Sequence, residues 1–148
     1  MIAVIQRCSQ AKVTVDKKTV GQIGFGLVIF LGVIKDDSEN DADMLVKKVI
    51  RLRIFNDKNY KMNYSLKEIN GSALVISQFT ICGDIRKGRR PSFLNAARPE
   101  KGEKLYKYFI DKIKETNLIV ESGEFGSLMN VELINDGPVT FILDSNKF

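Results

Sequence analysis

The sequence predicts a single α+β domain in which a mixed or antiparallel β-sheet is covered by two main helices. Three observations lead there. β-Branched apolar runs outnumber helical stretches, and they do not alternate with helices as a doubly wound sheet requires. Only two segments carry apolar residues at helical spacing. The composition, 44% apolar and 28% charged with no linker, repeat or low-complexity tract, describes one ordinary folded unit over residues 1–148.

Strands are expected at Ile2–Arg7 and Lys12–Val15, then at Val20–Ile23 paired with Leu27–Val33 across Gly24-Phe25-Gly26. Ser38 followed by Asp41 resembles a capping box, and Ala42, Leu45, Val46, Val49 and Ile50 recur at helical spacing behind it, giving a helix of about four turns. Leu52–Phe55 and the apolar run Ala73–Ile76, ending at Ser77, lie between the helices. A second helix is expected to open at Pro99, a suitable first helical residue. It carries Leu105, Tyr108, Phe109 and Ile113 on one face and ends near Asn117. Leu118–Val120, Asn130–Ile134 and Val139–Leu143 are strand-like in their β-branched content.

Composition narrows the chemistry. There is no histidine, so the commonest general base and the commonest transition-metal ligand are both missing. Cys8 and Cys82 show no C-x-x-C or metal-ligand spacing and read as reduced structural thiols. The acidic stretch Asp36, Asp37, Glu39, Asp41 and Asp43 lacks the calcium-loop glycine and reads as a charged helix start, so no metal and no cofactor are expected. Gly21-x-x-Gly24-x-Gly26 reads as a turn, because no helix follows it to cradle a phosphate. Leu27–Leu31 is far too short to span a membrane, and Met1–Arg7 lacks the layout of a secretion signal, so a cytoplasmic address is expected. The net charge of +5 modestly favours a polyanionic partner.

Three segments are candidates for function, each with a plainer reading beside it. Ser77-Gln78-Phe79-Thr80 puts hydroxyl, amide and backbone groups at a strand end; the plainer reading is the polar tail of a buried strand. Asn135-Asp136-Gly137-Pro138 stands before a strand, where proline leaves a carbonyl without a ladder partner; a simple hairpin turn is the alternative. Arg86, Lys87, Arg89 and Arg90, with Pro91-Ser92-Phe93, form a basic loop suited to phosphate contacts or merely to solvation.

Taken with Ile5-Gln6-Arg7 and Leu52-Arg53-Ile54-Phe55, these segments resemble the D-aminoacyl-tRNA deacylase family in order and spacing across the whole chain. The resemblance implies that family's fold and a homodimer. It also implies hydrolysis of the ester joining a D-amino acid to the 3′ end of tRNA, with L-aminoacyl-tRNA rejected and glycyl-tRNA mischarged on tRNA-Ala accepted. It assigns Gly137 and Pro138 a cis peptide bond and a chirality check inside the partner subunit's site, with Arg7 orienting the pair. Ser77, Gln78, Phe79 and Thr80 line the pocket around the ester, and the acceptor stem lies along Arg86, Lys87, Arg89 and Arg90. Without a histidine, the expected mechanism uses backbone N–H donors around Phe79 and Thr80 for the oxyanion, with the RNA 2′-hydroxyl helping the water. Thr80 as a covalent nucleophile is the rival, and an RNA-binding module without turnover is the non-enzymatic alternative. Where the family commonly has an aromatic and then a small residue, this chain has Cys82 and Gly83, which puts the pocket depth there in question.

Overall fold

The computed structural model describes all of residues 1–148. Eight strands, β1 (Ile2–Val15), β2 (Lys18–Ile23), β3 (Gly26–Gly32), β4 (Arg53–Asn56), β5 (Met62–Ser65), β6 (Ser72–Ser77), β7 (Ile119–Ser122) and β8 (Asn130–Asp144), accompany helices α1 (Glu39–Arg51) and α2 (Pro99–Lys114). The main sheet runs β2-β1-β3-β6-β7, and β8 is added along the other edge of β1. The β3–β6 and β6–β7 pairs are parallel and the rest antiparallel, so the sheet is mixed, as expected. A separate β4–β5 hairpin, whose second strand had no clear sequence signal, lies outside it.

Helix α1 forms where its pattern predicts. The Asp41 carboxylate accepts from both the N–H and the hydroxyl of Ser38, holding the first turn, while Ala42, Leu45, Val46, Val49 and Ile50 are buried. Helix α2 starts at Pro99 but ends at Lys114, earlier than expected. Its buried face includes Tyr106; Tyr108 is only half-buried and donates its hydroxyl to Asp43 on α1. Both helices pack on one face of the sheet and enclose the larger core with Ile5, Leu27, Ile29, Ala73 and Val75. A second, smaller core forms on the other face around Cys8, Val13, Val28 and Leu74. The sheet curls over it until β2 meets β7. A Cβ at Gly21 would sit 2.7 Å from the Ser122 carbonyl oxygen, so this close approach requires glycine.

Three strand expectations are corrected. Ile2–Arg7 and Lys12–Val15 belong to one continuous strand, and β2 pairs with β1 rather than with β3. The hairpin closes through Asp16 and Lys17, both at positive φ (47° and 66°), the geometry of a tight two-residue turn. Asp-Lys is a poor signal for such a turn, whereas the glycines at 24 and 26 attract the eye. Likewise Asn130–Ile134 and Val139–Leu143 are one strand, β8, so the plain hairpin reading of Asn135–Pro138 does not hold. Gln6 pairs with Thr140 and Cys8 with Asn135, which leaves Arg7 alone facing Asp136–Val139, an enlarged bulge.

The amino terminus anchors the opposite end of β1. The Met1 ammonium is fully buried, 2.6 Å from Asp37 Oδ1 and 2.7 Å from Ser145 Oγ, and Ser145 Oγ donates in turn to Asp41. The other Asp37 oxygen accepts from the Ile34 N–H at 2.6 Å. Removing one member of a buried ion pair leaves the other uncompensated. Asp37→Ala is therefore expected to lower the unfolding free energy by about 3–5 kcal/mol in urea titrations; a loss below about 1 kcal/mol would mean the pair is not structural. Burial also pushes the Cys8 thiol up to about 11 and raises that of Cys82. Neither is expected to react with a disulfide reagent at pH 8 until denaturant is added, and rapid labelling of the folded protein would contradict their burial.

Candidate active site

Strand β6 is apolar and buried from Ala73 to Ile76, and its last sheet bond is donated by Gln78 N–H to the Leu31 carbonyl at 2.8 Å. The chain then makes one 3₁₀ turn, Phe79–Cys82. The N–H groups of Phe79 and Thr80 open this turn, so no carbonyl within it accepts from them. Gln78 Nε2 donates to Thr80 Oγ1. The Thr80 hydroxyl thus meets an amide donor and makes no hydrogen bond to a carboxylate or amine that could remove its proton.

Ser77, Gln78 and Phe79 form one wall of a cavity of about 540 Å³. Its size falls in the range of about 300–1,000 Å³ common for small-molecule sites. The opposite wall is Tyr106, Phe125 and Met129. Tyr106 donates its hydroxyl to the Val75 carbonyl at 2.8 Å, its ring lies 5.7 Å from that of Phe125, and desolvation pushes its pKa up to about 12, keeping it a neutral donor. Thr80 is exposed beside this cavity rather than part of its lining. Cys82 lies behind the turn, its thiol directed at the Val33 carbonyl, so it does not set the cavity's depth. Sequence reasoning missed the far wall. Tyr106 had a signal, since it shares a helical stripe with Phe109 and Ile113, but the 123–129 segment had none.

The basic loop adjoins this cavity. Backbone bonds between Asp84 and Ser92 (2.8 and 2.9 Å) close it, and Phe93 packs edge-on against Phe79 with ring centroids 4.9 Å apart. Arg86 bonds to both carboxylate oxygens of Asp84, at 2.9 and 2.7 Å, and these bonds lower the Asp84 pKa to about 2. Lys87, Arg89 and Arg90 are exposed and form no ion pair within the chain.

The Gly137–Pro138 peptide is cis, and both residues are exposed in the β8 bulge. Arg7, only 4% exposed, holds this bulge. Its Nε donates to the Asp136 carbonyl at 3.1 Å and pairs with the Asp136 carboxylate at 2.9 Å, while Nη1 donates to the Ile54 carbonyl of β4 at 2.7 Å. The Val139 N–H donates to Asn135 Oδ1 at 2.9 Å and closes the other side. Gly137 has φ +127°, and a Cβ there would come within 2.9 Å of Arg7 Nη2 and 2.7 Å of Val139 Cγ2. Only glycine fits. The bulge is level with Leu27 of β3, whereas Ser77 is level with Leu31. Three strand spacings and four residues of rise separate them, roughly 20 Å. One chain therefore does not bring the bulge and the cavity together.

The chain matches over residues 4–144 the family model described as D-Tyr-tRNA(Tyr) deacylase. A D-aminoacyl-tRNA deacylase of Thermotoga petrophila is 56% identical over 99% of both chains, and that of Clostridioides difficile is 55% identical over the same share. Among solved structures, one named c-Myc DNA Unwinding Element Binding Protein superposes with a TM-score of 0.92 at 34% identity, covering 97% of this chain and 98% of its own. A probable eukaryotic D-amino acid tRNA deacylase shares the fold, with a TM-score of 0.84 at 19% identity over 96% of this chain and 97% of its own. With such likeness along nearly its full length, on a scaffold that presents Ser77–Thr80 at a cavity and Gly137–Pro138 on an exposed bulge, the chain belongs to the D-Tyr-tRNA(Tyr) deacylase family.

Proposed function

We propose that this protein hydrolyses the ester bond of D-aminoacyl-tRNA in the cytoplasm, releasing the D-amino acid and tRNA and sparing the L-acylated form. The observation that carries this reading is the family match over residues 4–144, which includes every candidate segment. The geometry suits it. The ester carbonyl sits at the open end of the 3₁₀ turn, where the unshared N–H groups of Phe79 and Thr80 meet the developing oxyanion. The terminal nucleoside occupies the cavity between Phe79 and Phe125. Water supplies the nucleophile and the 2′-hydroxyl of the RNA orients it, since no residue near Thr80 acts as a base.

Chirality is read by the main chain. The Gly137–Pro138 turn of one chain enters the cavity of a second copy, and its carbonyls receive the substrate's α-ammonium. A D side chain then points outward and an L side chain strikes backbone, so exclusion operates without recognising any particular side chain. Two features support a homodimer: the roughly 20 Å between turn and cavity within one chain, and the exposed Ile134, Phe141 and Ile142 on β8. Lys87, Arg89 and Arg90 take phosphates of the acceptor stem, and Arg86 shapes the loop through Asp84.

Incubation with D-tyrosyl-tRNA and L-tyrosyl-tRNA tests the reading: release from the D form alone is expected. A binding-only role, of the kind that the name c-Myc DNA Unwinding Element Binding Protein describes for that relative, protects both forms. Gly137→Ala forces a Cβ into Arg7 and Val139 and is expected to cut kcat/KM on D-tyrosyl-tRNA about 100-fold through misplacement of the turn; wild-type rates would remove the turn from the site. Replacing the terminal ribose by its 2′-deoxy form is expected to abolish most turnover, while Thr80→Ala retains measurable activity on the all-ribose substrate. The reverse pattern would make Thr80 the nucleophile.

A further inference from the structure

Four cations, Lys47, Lys48, Arg51 and Arg53, line a groove of about 600 Å³ between the end of α1, the start of β4 and the terminal Phe148. Met44 and Leu52 complete its lining, which contains no aspartate or glutamate. None of the four cations forms an ion pair within the chain. Arg53 bonds to Asn63, a neutral partner, with the Glu68 carboxylate acting on it only at longer range, and Lys48 Nζ lies 5.1 Å over the Phe148 ring. Offsetting the helix dipole accounts for Lys48 and Arg51 in the last turn of α1. It does not account for Lys47 and Arg53, which bring four positive charges to one concave face.

The Arg53 edge of the groove lies toward the 137–138 turn, whereas its Phe148 edge follows Ser145. Helix α1 begins where Asp41 meets Ser145, beside Met1, and runs to Arg51. Three residues further, at most about 11 Å of extended chain, is Ile54, whose carbonyl accepts from the same Arg7 that holds the turn. The basic loop 86–90, in contrast, adjoins the chain's own cavity through Phe93 and Phe79.

We propose that this groove binds the sugar-phosphate backbone of the RNA whose ester is held in the other subunit's cavity, so that each RNA is gripped by both chains of the dimer. This rests on the reading that the turn acts in trans. A chain that inserts the turn also brings Lys47, Lys48, Arg51 and Arg53 beside the partner's cavity, where phosphates upstream of the acylated end pass. The partner's own 86–90 loop contacts the strand from the other side. Lysine and arginine on phosphates add affinity without sequence preference, which suits an enzyme acting on many tRNAs.

The test compares two substrates, D-tyrosyl-tRNA and the phosphate-free ester D-tyrosyl-adenosine, over a range of salt concentrations. The variant Lys47→Ala/Lys48→Ala/Arg51→Ala is expected to lose about tenfold or more in kcat/KM on the tRNA at low salt and to flatten the logarithmic salt slope by about 0.7–0.9 per lost phosphate contact. Its rate on D-tyrosyl-adenosine is expected to stay within twofold of wild type. An unchanged salt slope overturns the groove while leaving the deacylase reading intact, and so does an equal loss on both substrates. Wild type inert toward both esters would instead sink the deacylase reading, and the groove with it. Mixed dimers locate the contact. A chain lacking the groove, paired with one whose groove is intact but whose cavity is filled by substituting Ala96, which also lines it, with tryptophan (Ala96→Trp), is expected to keep the wild-type salt slope. A flattened slope in that dimer places the contact in cis and refutes the proposal.

Discussion

The Arg7 guanidinium is the contact on which the proposed chemistry most depends. A strand edge does not by itself hold an enlarged bulge in one shape, because the bulge interrupts the ladder that would fix it. Here a buried cation crosses from β1 and takes the Asp136 carbonyl and carboxylate on one side and the Ile54 carbonyl on the other. Burying a charge is costly unless its donors are met, and the planar fork of arginine meets several acceptors in one plane as an ammonium does not. The bulge, the β4–β5 hairpin and the central strand are thereby linked. An exposed segment is held in place from within.

That rigidity compensates for what the chain lacks. With no imidazole, proton transfer cannot be assigned to the most common side chain for it. The proposed site relies on main-chain dipoles instead: N–H groups at the start of a 3₁₀ turn, and the backbone of the exposed residues Gly137 and Pro138. Dipoles are effective when they need not reorganise as the reaction proceeds. Each segment is backed accordingly, the turn by the ladder bond from Gln78 to Leu31 and by Phe93, the bulge by Arg7 and Asn135. The Tyr106 hydroxyl on the Val75 carbonyl steadies the cavity wall behind them.

Much of this was legible in the residues, and the failures have physical causes. Helix α1 was readable because its cap and its apolar stripe are both local patterns within one element. The β1–β2 hairpin is not legible because glycine is the usual sign of such a turn, whereas Asp16 and Lys17 adopt positive φ under the constraint of the pairing itself. Tyr106 and Tyr108 both lie near the apolar stripe of α2, and which of them is buried depends on where α1 packs. Asn-Asp-Gly read equally well as a hairpin turn and as something more; only the partner strand, with Arg7 opposite the gap in register, decides between a turn and a bulge.

The sequence by itself determined the fold class, the first helix, the absence of a histidine mechanism and, through the order of its motifs, the family. These are properties of composition and short-range spacing. The tertiary structure alone decided that the cavity has a far wall of Tyr106, Phe125 and Met129, that Arg86 is paired with Asp84 while its neighbours are free, and that the Gly137–Pro138 turn and the Ser77–Thr80 segment of one chain stand apart. The reason is the same in each case: these relations join residues distant along the chain, and their geometry is set by which strands pair and how far the sheet curls, information that no single segment contains.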